Sequence, residues 1–151
     1  MYPEELVYPM RKQLTDQGFD ELKSIDDVEN MVSNKGTTLV VVNSVCGCAA
    51  ANARPGAITS LVNDKKPDHL TTVFAGVDRD AVEKVRYYLA PFPPSSPAIA
   101  LFKDGELVHM LERHHIEGRS AEMISQNLKG AYNEHCLSLI HISEPTRRIE
   151  I

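Results

Sequence analysis

This 151-residue chain has few cysteines and no long apolar run. Three cysteines, unevenly placed, cannot build a disulfide scaffold, so a buried apolar core must hold the fold. No apolar stretch approaches the ~20 residues that a membrane-spanning helix needs. Basic residues are the minority charge: 16 Lys and Arg against 21 Asp and Glu give a net charge of −5. That balance argues against nucleic acid or an anionic membrane as a partner. A secretory leader needs a basic start and an apolar stretch, whereas Met1 is soon followed by Glu4 and Glu5. The expected address is the cytoplasm. Repeats and linkers are missing too, so one domain is expected.

Apolar residues make up 42% of the chain and charged residues 25%, enough for a real core. Leu6, Met10 and Leu14 recur at helical spacing within Glu4 to Gln17, ahead of Gly18, with Pro9 in the first turn or kinking it. Ser24 and Asp27 resemble a capping box before a short helix that buries Val28, Met31 and Val32. The β-branched run "TTLVVVN" is too continuous for a half-exposed strand and predicts a buried central one. After Cys48 an alanine-rich helix follows, bent at Pro55, with Ala57, Ile58, Leu61 and Val62 facing inward. A second buried strand is expected over Leu70 to Val77, then a helix capped by Asp78 with Val82, Val85 and Leu89 inward. Asp104-Gly105 joins "AIALF" to "ELVHML" as a hairpin. A last helix starts near Ser120 and aligns Ile124, Leu128 and Ala131. This order predicts an α/β fold, a central mixed sheet with helices on both faces.

Cys46 and Cys48 stand one glycine apart where the first buried strand gives way to a helix. Free N–H groups and the helix dipole favour an anion there, so Cys46 should carry a lowered pKa and be largely thiolate near neutral pH. Thiolate is the species that attacks disulfides. Cys48 is close enough to attack a mixed disulfide on Cys46, and Gly47 gives the backbone freedom that so tight a ring requires. Two other readings stay open. The pair could ligate a metal, although two sulfurs leave a zinc or copper site incomplete, and His69, His109, His114 and His115 have no spacing tied to it. It could also be buried structural thiols. Ser96-Pro97, before an apolar strand, could be an edge device.

The element order, strand, cysteine motif, proline-kinked helix, strand, helix, proline, hairpin and helix, resembles that of the thioredoxin fold. That resemblance implies a cis Pro97 beside Cys46, with the Ser96 backbone offered to substrate. More narrowly, "TTLVVVNSVCGCAAANARPG", "KKPDHLTTVFAGVD", "PFPPSSPAIALFKDGELVHMLERHHIEGRS" and "AYNEHC" resemble the bacilliredoxin family. The resemblance implies a thiol-disulfide oxidoreductase of the cytoplasm that removes bacillithiol from S-bacillithiolated client proteins. Weak disulfide reductase or isomerase activity would accompany it. Cys46 would take the bacillithiol and Cys48 could resolve the mixed disulfide. Bacillithiol is then a thiol co-substrate, with no cofactor or metal bound. Cys136 is read as an exposed tail cysteine, with a spare or second redox thiol as the alternative. His114 and His115 are read as surface loop residues. Residues 1–136 form the expected thioredoxin-like domain. The ending "LSLIHISEPTRRIEI", 137–151, resembles translated sequencing adapter and is expected to be a non-native, poorly ordered tail.

Overall fold

Strand β2, Thr37–Asn43, is buried at every position and forms the centre of the molecule. The computed structural model describes residues 2–137. β2 pairs in parallel with β3, His69–Phe74, and antiparallel with β4, Ala98–Lys103. β3 also carries a two-residue parallel edge strand, β1, Asp20–Glu21, which no sequence pattern announces. β4 pairs antiparallel with β5, Glu106–Leu111, giving the order β1-β3-β2-β4-β5. The mixed sheet expected from the element order is present.

The pleat sorts the β-branched run onto two cores. Leu39 and Val41 point to one face, where they meet Ala53, Ala57, Ile99, Leu101, Ile124 and Leu128. Val40 and Val42 point to the other, against Val28, Met31, Val82, Val85 and Phe102. The first core is covered by α1, Glu4–Thr15, α3, Arg54–Ser60, and α6, Ala121–His135; the second by α2, Ile25–Val32, and α4, Arg79–Leu89. Apolar neighbours on both faces are what a continuous valine run requires. The Asp104-Gly105 turn takes φ values of 51° and 84°, the left-handed pair of a tight hairpin.

Several expectations are corrected. The buried stripe of α1 is Val7, Arg11 and Leu14, not Leu6, Met10 and Leu14; Leu6 is 44% exposed. Arg11 belongs to the inner stripe because Glu4, Glu21 and Asp78 all pair with it. Asp78 precedes α4 but does not cap it by its side chain. Its carboxylate accepts from Arg11 and from the Phe74 N–H instead. β3 stops at Phe74 because Gly76 turns the chain at φ 85°. Val62 lies beyond the end of α3 and is 76% exposed rather than inward. His114 and His115 sit on a four-residue helix, α5, Arg113–Ile116, rather than in a loop. Of the segment read as a non-native tail, 138–151 lies outside the described residues.

Candidate functional site

The end of β2 is held from below before the chain reaches its cysteines. The buried Asn43 amide donates to the Met10 carbonyl at 3.1 Å, and its Oδ1 accepts from the Ser44 N–H at 2.9 Å. The chain then turns through Ser44 and Val45, and the Cys46 carbonyl accepts from the N–H groups of Ala49 and Ala50. Helical backbone begins there, but not as a plain α-helix. Ala49–Ala53 forms a π-helical turn that runs directly into α3. Pro55 supplies the reason: it has no N–H to donate, and its ring would crowd the carbonyl four residues back. A wider turn relieves both, so the expected bend is taken up as a π-turn.

Cys46 and Cys48 are half-buried free thiols with their sulfurs 2.8 Å apart. Their environments split them. Burial pushes the Cys46 thiol up, but hydrogen bonds from the Cys48 thiol, the Ser44 hydroxyl and the backbone N–H groups of Ala49 and Cys48 outweigh it. The net effect is a Cys46 pKa below that of an ordinary thiol. For Cys48, burial, the hydrogen bond to Cys46 and the charge of Cys46 all push upward, against a smaller lowering from Arg113. The pair is therefore one thiolate-prone sulfur beside one proton-holding sulfur. At Gly47 the backbone has no left-handed φ, and an added Cβ would meet nothing within 4 Å. The glycine is thus not required by the dithiol form.

A buried cation lies beneath the site. Arg54 is 3% exposed and donates from Nε to the Gln13 amide oxygen at 2.7 Å. Its Nη1 donates to Asn43 Oδ1 at 2.7 Å and to the Ser44 carbonyl at 3.0 Å. All three acceptors are neutral. Burial lowers the guanidinium pKa, and the Cys46 charge acts in the opposite direction. Sequence reading missed Arg54 because an arginine in "ANARPG" looks like an exposed helix charge.

An open pocket of about 270 Å³ adjoins Cys46, lined also by Tyr2, Ser44, Val45, Ala75, Gly76, Arg86, Ser96 and Arg113. Ser96 therefore shares a pocket with Cys46, and the Ser96-Pro97 peptide is cis, with Pro97 buried. Arg113 donates to the Ser96 carbonyl at 3.0 Å and pairs with Glu117 at 3.1 Å. Its charge is felt at both cysteines. The four histidines stay apart from the pair. Among the described residues, the group of three metal-ligand types within mutual reach is Glu112, His114 and His115, without either cysteine. His115 Nδ1 already accepts from the Glu112 N–H at 3.0 Å, closing the cap of α5. His109 bonds Asn127. Cys136 is buried, not an exposed tail residue, and burial pushes its thiol pKa up.

Comparison with known proteins fits this geometry. A family model described as disulphide isomerase matches residues 2–136. A bacilliredoxin of Cytophaga hutchinsonii is 60% identical over 134 residues, covering 89% of this chain and 99% of that protein. The chain belongs to the bacilliredoxin family. A second bacilliredoxin, from Halalkalibacterium halodurans, is 58% identical over 136 residues, 89% of this chain and 94% of that one. Among solved structures, mitochondrial thioredoxin 3 of Saccharomyces cerevisiae superposes with a TM-score of 0.54 at 12% identity, covering 77% of this chain and 94% of its own. Fasciola hepatica thioredoxin gives 0.53 at 19% identity, covering 78% and 99%. These establish the thioredoxin-like fold. Family and fold together make this bacilliredoxin-family chain a thiol-disulfide oxidoreductase.

Proposed function

We propose that the chain removes bacillithiol from S-bacillithiolated proteins in the cytoplasm. The observation that carries the reading is the split between two thiols whose sulfurs lie 2.8 Å apart: hydrogen bonds hold the Cys46 pKa below that of an ordinary thiol, while burial and Cys46 push that of Cys48 above it. The family relationship supports the choice of bacillithiol. The Cys46 thiolate attacks the bacillithiol sulfur of a client mixed disulfide. The client–bacillithiol S–S bond breaks, the client leaves as thiolate, and a Cys46–bacillithiol disulfide forms. Cys48 then gives up its proton and attacks Cys46 Sγ, releasing bacillithiol thiolate and leaving a Cys46–Cys48 disulfide. Two equivalents of a small thiol restore the dithiol and leave as their own disulfide. The Ser96 backbone, in the Cys46 pocket and ahead of Pro97, is the surface against which the client chain lies.

The test is mass spectrometry after mixing the protein with a bacillithiolated client. Cys48→Ala should accumulate bacillithiol on Cys46, and Cys46→Ala should lose transfer altogether. Full transfer by Cys46→Ala would overturn the assignment. The metal-binding alternative is tested on the freshly purified dithiol protein. Stoichiometric metal with a thiolate-to-metal absorption band would favour it.

A further inference from the structure

The pocket beside Cys46 holds two guanidinium groups, those of Arg86 and Arg113, and no carboxylate among its lining residues. Arg113 is partly committed, to Glu117 and the Ser96 carbonyl. Arg86 is not. It makes no ion pair or side-chain hydrogen bond among the described residues, and its Nε is buried without a partner. A buried donor left unpaired is uncommon in a folded protein and points to an acceptor supplied from outside. Water could serve, but two cations lining one pocket with a reactive sulfur favour a charged acceptor.

A neighbouring groove of about 690 Å³ shares Gly76 and Arg86 with this pocket, and there Arg79, Asp80 and Glu83 mix both signs of charge. Arg86 thus meets a second cation and no carboxylate on its Cys46 side, and carboxylates as well as a cation on the far side. The occupant must also present a sulfur to Cys46. Bacillithiol joins cysteine through glucosamine to malate, so one small thiol carries both the sulfur and two carboxylates.

We propose that Arg86 and Arg113 form a carboxylate subsite that holds the malyl end of bacillithiol while its sulfur is exchanged at Cys46. The proposal rests on the de-bacillithiolation reading and adds the source of its selectivity. Arg86 is the specificity-determining cation, since Arg113 also positions the Ser96 carbonyl. The subsite lowers KM for disulfides whose small half is anionic, and leaves the choice of client to the surface beyond.

The experiment compares kcat/KM on one peptide carried as its bacillithiol disulfide and as its 2-mercaptoethanol disulfide, which has no carboxylate. In the intact protein the ratio should favour bacillithiol, and Arg86→Gln should lower that ratio about tenfold, mainly through KM. A ratio unchanged in Arg86→Gln overturns the subsite. A second readout needs no turnover: titration with L-malate should shift the Arg86 and Arg113 Nε–H NMR signals saturably, and absence of any shift also overturns it. Malate shifts in a protein that never transfers bacillithiol would sink the de-bacillithiolation reading, and with it bacillithiol as occupant.

Discussion

Cys46 and Cys48 are neighbours but one, yet they meet different surroundings. Cys46 receives N–H groups from the start of the helix, while Cys48 packs against the α3 and α6 core. Arg54 adds a buried positive charge below, held by three neutral acceptors. A cation with no carboxylate nearby does most for whichever anion can form next to it. Iodoacetamide alkylation followed against pH should therefore rise earlier at Cys46 than in an ordinary thiol, because its pKa is lowered, and later at Cys48, because its pKa is raised. Arg54→Gln removes the charge and should move the Cys46 profile to higher pH, slowing alkylation near neutrality several-fold. An unmoved profile would show that Arg54 serves the fold alone. The cysteine pair was legible in the sequence because its spacing and its place after a strand are local. Arg54, Arg86 and Arg113 were not, because each looks like a solvated charge until α3, α4 and α5 bring them to one end of the sheet.

At the scale of elements, the site depends on how closely α3 lies against α6. A Cβ on Gly56 would stand 2.6 Å from Ile124 Cγ2 and 3.2 Å from the Ala121 carbonyl oxygen, so the two helices meet with no room for a methyl group. Below, the Ser60 and Tyr132 hydroxyls share a buried hydrogen bond at 2.8 Å. Gly56→Ala should cost about 1–3 kcal/mol of stability through overpacking, read as a fall in denaturation midpoint. Because α3 continues the π-turn that follows Cys48, the same substitution should also slow transfer. A gain in stability would mean that Ile124 gives way freely. Element type was largely readable: the valine run, the hairpin and the Ser24 and Ser120 caps all carry short-range signals. The inner face of α1 was not, since a periodicity count treats Arg11 as a solvent residue and cannot see Asp78 sixty-seven positions away. The π-turn is similarly hidden, because a proline signals trouble in a helix but not which geometry relieves it.

Across the whole molecule the thiols divide between the two ends of one strand. Cys46 follows the last residue of β2, whereas Cys136 lies near Thr37, its first, about 20 Å away at ~3.3 Å per residue. Cys136 is only 5% exposed. In the native dithiol protein, quantitative labelling should modify Cys46 and Cys48, while Cys136 should react only at the rate at which the α6 end opens. Labelling of Cys136 as fast as Cys48 would contradict the burial that the structure gives it.

Burial of Cys136 also decides what kind of failure heat or denaturant would cause. On the proposed mechanism, while α6 stays docked, a disulfide taken up by Cys46 can be handed on through Cys48 beside it. Once that helix loosens, a third sulfur enters the exchange with no partner beside it to release what it captures. The same chain would then turn from a carrier that empties itself into a trap that accumulates adducts and links to other copies. On that mechanism, clean turnover depends on the docking of the last helix, at the end of the sheet remote from Cys46.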